Sequence, residues 1–419
     1  MPGALLTDLY ELNMAASYLA RGMTEPATFS LFVRRLPPRR GFLVAAGLED
    51  SLGYLEDLRF EEEDLAYLRD ELGFGPGSLE GFRDLRFTGD VWAVPEGRIV
   101  FANEPLLEVT APIAEAQLVE TFLLNKVTFH TTIASKAARC VVAADGRGLV
   151  DFSFRRTQGI EAGIEVARGS AMVGFAATSN VEAARRFELR AAGTMAHSYI
   201  AAFPSETDAF RAFARDFPER TITFLVDTYD TPNGIRTAIE VIRELGLTGE
   251  LGVRIDSGNL ALGAAAARGL LDEAGLPDVR VFVSGGLDEL DIDDLVRAGA
   301  PIDAFGVGTR MGVSADAPYL DSVYKLVSYG DRPVLKLSPA KITLPGPKQV
   351  FRAEGFGGDV VGLRDEPAPA GSEPLLRRVM AGGRRLAPPP GLAEARERFR
   401  ADLAALPRHA RDLREPRPV

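Results

Sequence analysis

Two glycine-rich turns lie close together in the second half of the chain, Val283-Ser284-Gly285-Gly286-Leu287 and Phe305-Gly306-Val307-Gly308-Thr309-Arg310. Each follows a short apolar run and precedes a stretch with helical periodicity. Glycine lets a backbone approach a ligand, and the free N–H groups at a helix start suit an anion. With Arg310 beside them, the two turns read as a phosphate cradle. Upstream, Val253-Arg254-Ile255-Asp256-Ser257-Gly258 places Arg254 and Asp256 two residues apart, so on a strand they face the same way. Such a pair either closes as an internal salt bridge or answers a charged ligand. Asp227, in Val226-Asp227-Thr228-Tyr229-Asp230-Thr231, sits at another strand end. A carboxylate there suits ribose hydroxyls or a magnesium ion, while Asp230 or Thr231 reads as a helix cap. His197 follows a Gly-Thr turn in Gly193-Thr194-Met195-Ala196-His197-Ser198. It reads as a nucleophile, a general base or a structural histidine. His130 and His409 have no comparable setting.

These residues need a frame. From 136 to 315 the chain alternates short apolar runs (149–154, 171–175, 221–226, 251–255, 279–283 and 304–307) with helical segments. Strand then helix, repeated, predicts a parallel sheet with crossover helices. The polar clusters all follow the runs, including Arg155-Arg156 and Thr178-Ser179-Asn180. In (β/α) barrels the site forms at the C-terminal ends of the strands, so the clusters predict one mouth. About seven strands are countable against the eight of a closed barrel, which predicts an irregular, incomplete one. Residues 1–135 mix helix and strand patterns and form a first, α+β region, with a long helix expected over 114–135. Residues 316–419 form a third region, whose Arg/Pro tail from 408 to 419 is expected to be poorly ordered.

Composition narrows the class. Lys plus Arg is 48 and Asp plus Glu is 59, giving a net charge of −11, which disfavours generic binding to nucleic acid or an anionic membrane. Cys140 is the single cysteine, which excludes an intrachain disulfide and a cysteine-based zinc site. With three histidines in all, a multi-histidine metal site is not expected. No apolar stretch approaches the roughly 20 residues of a membrane span. Asp8 and Glu11 interrupt the first apolar run, which argues against a secretory signal. The expectation is a soluble, cytoplasmic enzyme that handles a phosphorylated substrate.

Joined in order, the motifs resemble the nicotinate phosphoribosyltransferases, members of the type II phosphoribosyltransferases. The resemblance runs from Leu6-Thr7-Asp8-Leu9-Tyr10-Glu11-Leu12 through Phe32-Val33-Arg34-Arg35-Leu36-Pro37 and Gly41-Phe42-Leu43-Val44-Ala45-Ala46-Gly47. It continues with Asn103-Glu104-Pro105, Thr178-Ser179-Asn180, the His197 and Asp227 motifs, and Arg254–Gly258. It ends at Tyr324-Lys325-Leu326-Val327 and Lys348-Gln349-Val350-Phe351-Arg352. The resemblance implies an irregular α/β barrel with a second domain built from the N-terminal and C-terminal regions. It implies a homodimer with shared active sites, magnesium, and ATP as a co-substrate. The implied reaction joins nicotinate to phosphoribosyl pyrophosphate, with ATP hydrolysis coupled through a phosphorylated histidine.

Roles carried over by this resemblance fall on matching positions. Tyr10 would reach across the dimer and stack on the pyridine ring, with Phe152 on its other face. Arg254, Thr194 and Ser179 would line the nicotinate site, with Arg155 near phosphate or carboxylate. Asp227 and Asp256 would serve ribose or magnesium. Ser284, Gly285, Gly286, Gly308, Thr309 and Arg310 would take phosphate, and His197 would be the phosphohistidine. The chain departs from the family pattern at Gly286 and Asn259, where Asp is usual, and at Ser153, where Gly is usual. Nicotinamide and quinolinate phosphoribosyltransferases, and a ligand-binding relative without turnover, are the alternatives. The nicotinamide enzymes carry Asp at the position of Ser179, and a second substrate carboxylate would call for further basic residues.

Overall fold

The computed structural model describes residues 3–335, 343–417 and 419. The chain divides into two compact units, one of Met1–Ser135 with Tyr319–Val419 and one of Lys136–Pro318.

The first unit is built on a seven-stranded antiparallel sheet. Its centre is Pro26–Val33, paired on one side with Ser322–Tyr329 and on the other with Pro105–Pro112. Every residue of Pro26–Val33 after the first is buried, so both faces of that strand are covered. Phe29 stacks on Tyr324 with ring centres 4.8 Å apart. The helix expected over 114–135 is two helices, Ile113–Leu118 and Glu120–Ala144. The second runs on because nothing breaks the helical pattern before Asp145-Gly146. The tail expected to be poorly ordered is packed instead. Ala410 and Leu413 are buried, and a Cβ at Gly41 would lie 1.9 Å from the Ala410 carbonyl oxygen. Two apolar residues three apart give that segment one face to bury, which its Arg/Pro composition disguises.

The second unit carries a six-stranded, wholly parallel sheet. Its strands are β1 (Gly148–Asp151), β2 (Ala177–Thr178), β3 (Ile222–Leu225), β4 (Leu251–Ile255), β5 (Arg280–Val283) and β6 (Ala304–Val307). Their order in the sheet is β2-β1-β6-β5-β4-β3. Strands β3 to β6 follow one another, β6 returns to β1, and β2 and β3 are the two edges. The fold is the expected irregular, incomplete barrel, a parallel half-barrel, with six strands among the described residues against the seven or so expected. One expected strand is misplaced. Residues 171–173 close the helix Ile160–Val173, whose C-terminus is Gly174 at φ 122°, and the strand is Ala177–Thr178. A short apolar run cannot by itself separate a buried strand from the last turn of a buried helix.

The segment after β2 fills the seam between β2 and β3. Thr178 N–H donates to the Arg190 carbonyl at 3.0 Å, and Ala192 N–H donates to the Thr178 carbonyl at 2.9 Å. From the same segment Arg190 reaches Thr221, just before β3, and Glu250, just before β4, at 3.3 and 3.0 Å. No helix among the described residues is long and apolar enough to cross a membrane.

Candidate active site

The polar clusters of the second unit follow its strands, so they gather at the C-terminal edge of the sheet. Arg254 is the best-held group there. Its Nε donates to Ser284 Oγ at 2.8 Å, its Nη1 to Thr194 Oγ1 at 2.8 Å and its Nη2 to Asp256 Oδ1 at 2.7 Å. A guanidinium carries five N–H groups, so about two remain for a ligand after these three. Its carbon lies 5.3 Å from the centre of the Phe152 ring, which in turn sits 5.7 Å from Phe282. The salt-bridge reading of Arg254 and Asp256 therefore holds, and the pair still has capacity left.

Asp256 feels opposing effects. Burial raises its pKa, but the hydrogen bonds from Ser284 and Arg254, the Arg254 charge and His197 outweigh that and leave it below the ordinary value. Asp227 accepts the Asp256 N–H at 2.9 Å and the Ser257 hydroxyl at 2.6 Å through Oδ2. Its Oδ1 is buried and has no hydrogen-bond partner. Beneath Phe152, the fully buried Asp151 accepts from the Ser153 N–H and hydroxyl at 2.9 and 2.6 Å and from Thr178 at 2.8 Å. The loop holding Phe152 is thus tied to β2, and Ser179 N–H bonds the Asp151 carbonyl at 2.8 Å.

His197 opens a short helix, His197–Ala201, and is exposed. Its Nδ1 lies 3.1 Å from Thr228 Oγ1. The two glycine turns differ. A Cβ at Gly285 would lie 2.1 Å from the Asp256 carbonyl oxygen, and its φ is +110°. That position therefore requires glycine. Gly286 has φ +73° with open space around it. At that φ a residue with a side chain would be strained whatever the space around it. Asn259 caps the helix Leu260–Glu273 by accepting the Leu262 N–H at 3.1 Å, a task that Asn and Asp perform equally well.

Several of the expected site residues have protein partners of their own. Arg310 is turned to Asp288 and Asp291, at 3.2 and 2.9 Å, and away from the turn that precedes it. Arg156 instead points Nη1 at Thr309 Oγ1, at 3.5 Å, while Arg155 is exposed. The Ser284 side chain is spent on Arg254 and Asp256. Tyr10 lies in the other unit. It is 48% exposed, and its hydroxyl donates to Glu11 at 3.1 Å.

Glu206 is a group that the sequence did not single out. Its Oε1 is buried without a partner. Burial, followed by the charges of Asp227 and Asp230, pushes its pKa up to about 6 from 4.5. In sequence it looks like ordinary first-turn acid behind the Ser205 cap, and burial is not readable from that. Because the folded value is the higher one, the native state is favoured while Glu206 is protonated. That advantage is lost as the pH rises through about 6. Glu206→Gln should therefore raise stability at pH 7.5 but not at pH 4. The gain should stay under about 1 kcal/mol because the group is partly exposed and screened. Urea denaturation at the two pH values measures it.

A parallel sheet with its polar loops gathered at one end defines an α/β enzyme of the kind that works at the C-terminal edge of its strands. Comparison with known proteins makes this particular. Residues 5–128 match the nicotinate phosphoribosyltransferase (NAPRTase) N-terminal domain, and residues 148–334 match the nicotinate phosphoribosyltransferase (NAPRTase) family. The chain is 48% identical to a nicotinate phosphoribosyltransferase of Mycobacterium tuberculosis, over 99% of this chain and 89% of that one. It is 43% identical to that of Bacillus subtilis, over 87% and 76%. The crystal structure of human nicotinic acid phosphoribosyltransferase superposes with a TM-score of 0.87 at 30% identity, covering 98% of this chain and 96% of that one. The chain belongs to the nicotinate phosphoribosyltransferase family and is an enzyme of that type.

Proposed function

We propose that the chain is a cytoplasmic, ATP-dependent nicotinate phosphoribosyltransferase of NAD salvage. Nicotinate, phosphoribosyl pyrophosphate, ATP and water become nicotinate mononucleotide, pyrophosphate, ADP and phosphate. The observation that carries this reading is Arg254, fixed on three sides beside Phe152 with N–H groups to spare. A planar cation against an aromatic face suits a flat ring bearing one carboxylate. Phe152 stacks on the pyridine and Arg254 holds its carboxylate, which orients the ring nitrogen toward C1 of the ribose. The bond from C1 to pyrophosphate breaks as the bond from nitrogen to C1 forms. The nitrogen has its own lone pair, so orientation does the work and no general base is needed. The Gly285-Gly286 and Gly308-Thr309 turns, with Arg156, take the 5′-phosphate.

The orphaned Asp227 Oδ1 and the second oxygen of Asp256 form an oxygen-only donor set that suits a hard cation. Asp227 and Asp256 would hold magnesium, which when bound supplies charge neutralisation to the departing pyrophosphate. A second copy of the chain supplies Tyr10 to the open face of the ring, making the working form a homodimer.

Product formation from nicotinate, nicotinamide and quinolinate, each with and without ATP, tests the reading. Nicotinate should be used at least about tenfold better than nicotinamide, since Ser179 leaves its carboxylate unopposed and Arg254 pairs with it. Ser179→Asp should reverse that preference by placing a like charge beside the carboxylate. Equal use of the two bases by the unaltered protein would sink the assignment.

A further inference from the structure

Ser284 directly follows β5 and is 2% exposed. Its N–H donates to the Ile255 carbonyl at 2.9 Å, which pins the residue beside the end of β4. Its hydroxyl accepts from Arg254 Nε at 2.8 Å and donates to Asp256 Oδ1. Asp256 Oδ1 also accepts from Arg254 Nη2, at 2.7 Å. Arg254, Ser284 and Asp256 therefore form a closed ring of three hydrogen bonds. The hydroxyl's proton is committed to the carboxylate and a lone pair to the guanidinium. The next residue, Gly285, packs against the Asp256 carbonyl, so the ring cannot shift as a body without moving the turn.

We infer that Ser284 is a positioning residue for base recognition, and that its side chain aims Arg254 at the substrate carboxylate. This rests on the phosphoribosyltransferase reading above. The salt bridge alone fixes one corner of the guanidinium and leaves the plane free to pivot about it. A second bond, at Nε, fixes the plane. Thr194 then holds the far corner, at 2.8 Å, so the guanidinium is fixed at Nε, Nη1 and Nη2. Removing the hydroxyl leaves Nε–H unpaired in a nearly closed site and lets the fork turn. The substrate feels this as weaker carboxylate binding. The phosphate end of the other substrate does not, because it is met by backbone N–H groups and Arg156.

The test is steady-state kinetics on the full-length protein, with nicotinate and phosphoribosyl pyrophosphate varied in turn. In Ser284→Ala the KM for nicotinate should rise about tenfold, the value expected for losing one hydrogen bond to a charged group, with the KM for phosphoribosyl pyrophosphate within about twofold. Ser284→Thr restores the hydroxyl and should return the nicotinate KM to within about threefold. A defect of folding alone would lower the active fraction, and so the apparent kcat, without moving either KM. That outcome overturns the proposal. So does a rise confined to phosphoribosyl pyrophosphate, which would return the hydroxyl to a phosphate role. The unaltered protein, run alongside, separates the two levels. No product from nicotinate there removes the activity reading and this inference with it. Normal turnover there with an unchanged nicotinate KM in Ser284→Ala removes this inference alone.

Discussion

Arg254→Ala is expected to lower kcat/KM for nicotinate by about 10² to 10³-fold, with most of the loss in KM. The side chain is 12% exposed and bonds three partners in three different loops of the second unit. Truncating one member of such a pair forfeits the substrate contact and also leaves Asp256 without its cation. That combination costs about 2 to 5 kcal/mol in comparable sites. Arg254→Lys should recover part of the loss. It keeps the charge, but a single ammonium cannot serve Ser284, Thr194, Asp256 and a ligand carboxylate at once. Nicotinamide, with no carboxylate to lose, should be far less affected by either change. If nicotinate and nicotinamide suffer alike, Arg254 acts on the fold and not on the base. Circular dichroism and melting of the variants run alongside would show whether the second unit survives.

His197→Asn should abolish an acid-labile label from γ-labelled ATP and remove the stimulation of turnover by ATP. His197 is exposed, starts a short helix and has a hydroxyl 3.1 Å from one ring nitrogen. The second ring nitrogen, Nε2, is the one proposed to accept a phosphoryl group. On the proposed coupling, the bond from phosphorus to the ADP oxygen would break as the bond from imidazole nitrogen to phosphorus forms, and water would later take the phosphoryl group as phosphate. The resulting phosphoramidate hydrolyses in acid and survives in base, unlike a serine phosphate. Its added charge would lie near Asp256, whose pKa His197 already helps to lower. A phosphoryl group there would draw in cations and N–H groups around the second substrate. Slow transfer without ATP should persist in His197→Asn, because the histidine takes no part in the glycosyl bond change. Full ATP stimulation in that variant, or a label stable to acid, would rule the coupling out.

Much of the second unit was legible in its sequence, because alternation of strand and helix is a pattern of type and spacing. Strands β4 and β6 match the expected spans, residue for residue. The two-residue β2 was misread, since the apolar run before it belongs to a helix. Arg254 and Asp256 could be put on one face from their spacing alone. Their third partner could not, because Ser284 is 28 residues further on and meets them only across a parallel pair of strands. The partners of Arg310 were illegible for the same reason. The acids that capture it, Asp288 and Asp291, lie 22 and 19 residues earlier on the preceding helix and its cap. Nothing marks Arg156 over Arg155 in the sequence. The structure separates them by which one reaches Thr309.

The seam between β2 and β3 has a bearing on solubility. A strand edge offers unpaired N–H and C=O groups to any passing strand, and a parallel sheet that fails to close has two such edges. Here β2 is two residues long, and its outer side is bonded to Arg190 and Ala192. Arg190 then crosses to the side of β3, with a charge at the point where a foreign strand would dock. The stretch that presents His197 thus also screens the barrel from pairing with its own kind. Cutting or loosening it would expose β2 and β3 together, so aggregation of the sheet would begin at the same place as its chemistry.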